Sequence, residues 1–156
     1  MSRIGKLPIT IPDNVNVNYS GSEITVKGKF GTLQIQIPGT IGIQQEEGIL
    51  RVSLKNEARN LRSLHGLYRT LINNMIIGVS KQFVINLELK GVGYRCQIIT
   101  NNVILDLGYS HPIKVQIPNE ISITVKNNTF ILITGINKEQ VGLFASKIRS
   151  FRPPEP

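Results

Sequence analysis

Arg62, His65 and Arg69 are the first side chains in this chain whose types and spacing could do chemistry together. At about 100° per residue they fall on one flank of a helix, with Arg59 and Asn73 close by. Such a stripe suits successive phosphates, to which Arg presents a planar fork of donors. A solvated helix face is the competing reading for any one Arg. It loses weight for the group because acidic partners are scarce after Glu57. A second constellation is Lys90-Gly91-Val92-Gly93-Tyr94-Arg95. Its glycines let backbone approach a ligand closely, Tyr94 can stack, and Lys90 and Arg95 supply charge. A bulged strand carrying an exposed aromatic is the alternative. It is not a dinucleotide fingerprint, since Cys96 stands where the third glycine belongs and the context is strand. Gly28-Lys29-Phe30-Gly31 has the GxxG spacing of a loop that clamps nucleic-acid backbone, but it lies between two strand runs and reads as a hairpin with a basic tip. The ends are basic too: Arg3 and Lys6 precede the first strand, and Lys147, Arg149 and Arg152 crowd the end of the last helix. There the helix dipole competes with RNA contact as an explanation.

Catalysis finds no footing in these residues. His111 sits in the polar turn Gly108-Tyr109-Ser110-His111-Pro112 without a nearby carboxylate or cysteine, which favours turn structure or a phosphate contact. Cys96, the single cysteine, lies on an apolar strand and reads as a small core residue. With two histidines and no paired carboxylates in a shared turn, no nucleophile–base pair and no metal set can be assembled. No catalytic residue, cofactor or small-molecule substrate is expected.

Composition narrows the partner. The 156 residues carry 18 Lys and Arg against 10 Asp and Glu, a net charge of +8, and 40% are hydrophobic. A packed core is therefore available, and a polyanion is favoured because each phosphate neutralised releases a condensed counterion. An anionic membrane would satisfy the same arithmetic. Apolar runs such as Met75-Ile76-Ile77, however, fall far short of the roughly 20 residues a spanning helix needs. Neither an apolar leader nor an Arg-rich transit segment is expected at Met1-Ser2-Arg3, and the lone cysteine fits a reducing compartment.

The elements that must hold these residues come in two copies. Ile35-Gln36-Ile37-Pro38 aligns with Val115-Gln116-Ile117-Pro118 at an offset of 80 residues, and in register Ile41 meets Ile121, Gly28 meets Gly108 and Ile24 meets Ile104. Alternating apolar residues at Ile24 and Val26, at Leu33, Ile35 and Ile37, and from Ile49 to Leu54 read as half-buried strands punctuated by glycines. A helix follows in each copy. Leu61, Leu64, Tyr68, Leu71 and Met75 are expected to face the sheet in the first, and Val141, Phe144, Ile148 and Phe151 in the second. Gly78 is expected to end the first helix. Asn137 is expected to cap the second, with Gln140 reaching back in a capping box and Pro153-Pro154 stopping it. The expectation is an α+β chain of two duplicated small domains, 1–81 and 82–156, each an antiparallel sheet covered by one helix.

With these motifs in view, the chain resembles large-subunit ribosomal protein six of the bacterial and plastid type along essentially its whole length. The opening SRIGKLPITIP, LHGLYRTLINNMIIGVSK from Leu64 to Lys81, GVGYR, LGYSHP and VGLFASKIRSFRPPEP carry the likeness. The resemblance implies two homologous α+β domains, no enzymatic activity, and binding to large-subunit rRNA near the translation-factor site beside neighbouring ribosomal proteins. It also implies RNA contacts from the SRIGK arm, the flank of Arg62, His65 and Arg69, and the basic loops of the second domain. Family members usually continue past PPEP into a Lys- and Gly-rich tail, and this sequence stops at Pro156. Frequent Ile and Asn suit AT-rich coding DNA, which favours a plastid stroma, with a bacterial cytoplasm as the alternative. A free RNA-binding module acting in trans is the rival. It would need exposed stacking aromatics, for which only Tyr94 and Phe83 offer themselves.

Overall fold

The computed structural model describes residues 3–55 and 61–152. The chain divides into two compact units, Met1–Gln82 and Phe83–Pro156. The first holds β1 (Ile9–Thr10), β2 (Asn16–Ser20), β3 (Glu23–Gly28), β4 (Gly31–Gln36), β5 (Ile41–Glu46), β6 (Ile49–Leu54) and α1 (Arg62–Lys81). The second holds β7 (Phe83–Glu88), β8 (Arg95–Ile99), β9 (Asn102–Asp106), β10 (Ile113–Gln116), β11 (Ile121–Lys126), β12 (Phe130–Gly135) and α2 (Lys138–Ser150). Arg59, Glu57 and the Pro153-Pro154 stop lie outside the described residues.

Pairing repeats from one unit to the other. In the first, β2, β3 and β4 form an antiparallel meander, and β1 and β5 flank β6 in a second three-stranded sheet. In the second, β8, β9 and β10 form the meander, and β7 and β11 flank β12. The α+β class holds, with two three-stranded sheets in each unit where alternation alone suggested one. The duplication extends to single hydrogen bonds. Ile41 N–H donates to the Pro38 carbonyl at 3.0 Å, and Ile121 N–H donates to the Pro118 carbonyl at 3.1 Å.

Each unit buries its own core. Ile9, Ile24, Val26, Ile41, Leu50, Ile72 and Ile76 make up much of the first. Leu105, Val115, Ile131, Ile133, Val141, Phe144 and Ile148 do so in the second. Burying such a side chain contributes about 1.5–3 kcal/mol, so alternation along the strands decides which face turns inward. Cys96 belongs to the second core, as its place on an apolar strand suggested.

The helices correct several expectations. The inward side of α1 is His65, Ile72, Ile76 and Val79, with Leu64, Tyr68 and Met75 packed beside it. Leu61 and Leu71 are only half-buried and stand outside that core. Gly78 does not end α1. It is buried within the helix, which runs to Lys81, and its carbonyl accepts from Gln82 N–H at 2.9 Å. The chain leaves at Gln82 with φ 65°. Asn137 caps α2 as expected, its Oδ1 accepting from Glu139 N–H at 3.0 Å and Gln140 N–H at 3.4 Å. The reciprocal half of the box is not made, because Gln140 Oε1 is buried with no partner among the described residues.

Candidate nucleic-acid interface

The two glycines of the GxxG stretch pair with each other across β3 and β4, so the segment is a tight hairpin. Its tip docks on the end of α1. A Cβ on Gly28 would stand 2.6 Å from the Val79 carbonyl oxygen, which also accepts from Phe30 N–H at 3.1 Å. Gly28 is therefore required by close packing against a helix end. Lys29 folds over the Phe30 ring, 5.6 Å from its centroid.

In the first unit the basic residues gather around the N-terminal arm. Arg62, Arg69 and Asn73 keep the shared flank of α1, but His65 does not belong to it. With 1% of its surface exposed, His65 lies in the core, and its Nε2–H donates to the Val52 carbonyl at 2.7 Å. That bond leaves Nδ1 as a bare acceptor, which has no partner among the described residues. Gly5 sits directly on the ring: a Cβ there would come within 2.4 Å of Nδ1. His65 is thus a buttress for the arm. Arg69 holds the same arm from outside, Nε donating to Leu7 O at 3.3 Å and Nη2 to Pro8 O at 3.2 Å. Arg3 and Lys6 are exposed on the arm so fixed, and Arg62 is exposed on α1. Neither Arg3, Lys6 nor Arg62 has an acidic partner among the described residues.

The second unit assembles a cleft. Glu88, Lys90, Gly91, Tyr94, Arg149 and Arg152 line a volume of about 480 Å³ together with Leu87, Leu89, Leu107 and Ile148. Arg152 Nε donates to Tyr94 Oη at 3.0 Å, and its guanidinium carbon lies 5.0 Å from the centre of the Tyr109 ring. Tyr109 Oη in turn donates to the Phe151 carbonyl at 2.7 Å. The two tyrosine hydroxyls, Tyr109's first, push the Arg152 guanidinium further above its ordinary value, so its charge is permanent. Tyr109 is the residue that sequence reasoning passed over. It sits on the loop between β9 and β10, where the first unit has only the tight hairpin of Gly28 and Gly31. The repeat carried no signal for it, because Gly28 to Ile35 and Gly108 to Val115 are equal spans and only the strand pairing is shorter in the second unit.

The remaining expected residues scatter around this unit. Arg95, on β8, faces Asp106 on β9 at 3.7 Å, and Lys90 faces Glu88 at 3.8 Å. Both pairs are exposed and contribute only about 0–1 kcal/mol, so either cation can exchange its partner for a phosphate. His111 is exposed on the Tyr109 loop, and Lys147 is exposed on α2. Cys96 donates its thiol hydrogen to Asn128 O at 3.3 Å, and burial pushes its pKa up, which keeps it a neutral thiol. Among the described residues no three His, Cys, Asp or Glu side chains converge on a metal position, and no helix is long and apolar enough to cross a membrane.

Comparison with known proteins joins the chain to one family. The family model described as Ribosomal protein L6 matches twice, over residues 11–82 and 90–156. Large ribosomal subunit protein uL6c of Phaeodactylum tricornutum is 63% identical over 156 residues, covering 100% of this chain and 88% of the relative. That of Trieres chinensis is 58% identical, covering 100% of this chain and 87% of the relative. Large ribosomal subunit protein uL6 of Gloeothece citriformis is 51% identical, again covering 100% of this chain and 87% of the relative.

Proposed function

The chain belongs to the ribosomal protein L6 family, a structural and non-enzymatic constituent of the large ribosomal subunit, and from that premise we propose that it docks on large-subunit rRNA near the translation-factor-binding region. The observation that carries this reading is the convergence of Lys90, Tyr94, Arg149 and Arg152 on one cleft. Three cations around an aromatic ring serve a phosphate chain with bases attached, and the one carboxylate there, Glu88, is paired with Lys90. Arg3, Lys6, Arg62 and Arg69 with Asn73 supply a second contact in the first unit. Arg95, His111 and Lys147, exposed elsewhere on the same unit, are further candidate contacts. Phosphate contacts fix position on folded RNA, whose double-stranded parts are recognised mainly by shape. His65 acts only through the arm it supports. Neighbouring large-subunit proteins are the remaining partners. The uL6c relatives support a plastid ribosome in the stroma as the setting, and the bacterial-type relatives keep a bacterial cytoplasm as the alternative.

Binding of the purified chain to large-subunit rRNA across a salt series tests this. Truncating Arg62 and Arg69 together should weaken binding and flatten its salt dependence, each lost phosphate contact reducing the logarithmic slope by about 0.7–0.9. Unchanged affinity and slope would remove the α1 flank from the interface. Hydroxyl-radical cleavage from a probe tethered at Lys147 tests the location. Cuts near the factor-binding region are expected, and cuts confined to distant rRNA would contradict that placement.

A further inference from the structure

We propose that the cleft in the second unit takes one unpaired RNA base, so that this unit seats on a bulged or looped nucleotide instead of an uninterrupted duplex. The proposal rests on the rRNA-binding reading and names what that site holds. A surface that only neutralises phosphates needs no apolar lining, because phosphate oxygens stay partly solvated. This cleft has one. Its volume of about 480 Å³ is of the size that encloses small planar ligands. Leu87, Leu89, Leu107 and Ile148 offer apolar surface that water covers poorly and a base face covers well. Lys90, Arg149 and Arg152 line the same cleft with Glu88, which pairs with Lys90 and leaves the two arginines to neutralise the phosphate attached to an inserted base.

Tyr94 makes the fit specific to a base. Its ring is fixed on one side by Gly91, where a Cβ would stand 2.5 Å from Cδ2 and Cε2. Arg152 fixes its hydroxyl at 3.0 Å, and Gly108 approaches Cε1, so that a Cβ there would lie at 3.4 Å. A ring held in this way stacks without paying rotamer entropy, which makes it a ready platform for one flat heterocycle. A duplex keeps its bases stacked on each other and presents no free face. Only a nucleotide already unpaired, or cheaply unpaired, can enter.

The test compares two RNA hairpins of identical stem with the full chain. One carries a single bulged 2-aminopurine, and the other is continuous. The bulged hairpin should bind about tenfold tighter, and its 2-aminopurine emission should fall on binding as the base stacks against Tyr94. Leu89→Trp fills the cleft and should abolish the tenfold preference. The comparison on the unsubstituted chain stands by itself if that variant does not fold. Equal affinity for the two hairpins with unchanged emission would overturn the base pocket and leave the rRNA-binding reading intact. Failure to bind either hairpin at low salt would overturn both.

Discussion

Replacing Gly5 by Ala isolates the link between the N-terminal arm and the buried histidine. The added methyl carbon would lie 2.4 Å from Nδ1, 2.5 Å from Cγ and 2.7 Å from Cε1 of His65. Carbon contacts are comfortable at about 3.5–4.0 Å, so something must move by roughly an ångström. The ring is the stiff side of the contact, being 1% exposed and tied to Val52 O at 2.7 Å. The arm is the soft side. Arg69 ties it to α1 through bonds to Leu7 O and Pro8 O, and Leu7 N–H on Ile4 O at 3.2 Å closes a turn within it. Overpacking of this kind costs about 1–3 kcal/mol. Two net hydrogen bonds of about 0.5–1.5 kcal/mol each are of the same size. The strain is therefore comparable to the two Arg69 bonds, and it should loosen the arm while β1 and the core remain. Limited trypsin digestion at Lys6 reads the arm, and calorimetry reads the unit. Cleavage after Lys6 should accelerate by about fivefold or more, with little change in Tm. Affinity for rRNA should fall as Arg3 and Lys6 lose their fixed position. Wild-type cleavage and affinity in Gly5→Ala would refute the role given to His65.

Four further outcomes follow from the same geometry. His65→Ala should destabilise the first unit by about 2–4 kcal/mol, through a cavity and a stranded Val52 carbonyl, and denaturant unfolding would show it. Asn137→Ala removes the side-chain acceptor that caps the start of α2, and should cost about 1 kcal/mol by the same measurement. Arg152→Ala should lower the salt slope of rRNA binding by about 0.7–0.9, whereas Arg95→Ala should lower it less, because Asp106 already offsets that charge. Burial raises the Cys96 pKa above the ordinary 9.0. Its contribution to stability is therefore complete below pH 9.0 and is lost as pH rises through the folded value, because the unfolded thiol ionises first. A Tm series above pH 9.0 should fall for the wild type and flatten for Cys96→Ala.

Periodicity carried far in this chain because both units spend their apolar residues on burial. The alternation at Ile24 and Val26 predicted side chains that prove wholly enclosed, and the spacing of Val141, Phe144 and Ile148 predicted the inward face of α2. The Ile37-Pro38 and Ile117-Pro118 turns were visible as a repeat, and each makes the hydrogen bond its copy makes. What remained hidden depends on partners distant in sequence. A histidine among arginines reads as polar, yet the Val52 carbonyl and Gly5 draw His65 inside. Tyr109 in a polar loop reads as solvated, yet its hydroxyl meets the Phe151 carbonyl 42 residues on. Arg69 reads as a free cation, yet it spends donors on Leu7 and Pro8. The number of sheets was likewise concealed, because alternation marks a strand without naming its neighbour.

Sucrose-gradient sedimentation of a lysate, with this chain followed into washed large subunits, tests the central claim most directly. Stoichiometric retention through a high-salt wash is the predicted result, since an assembled interface resists ions that dissolve a loose electrostatic one. Recovery only in the light fractions would contradict it and make a free RNA-binding module the better account.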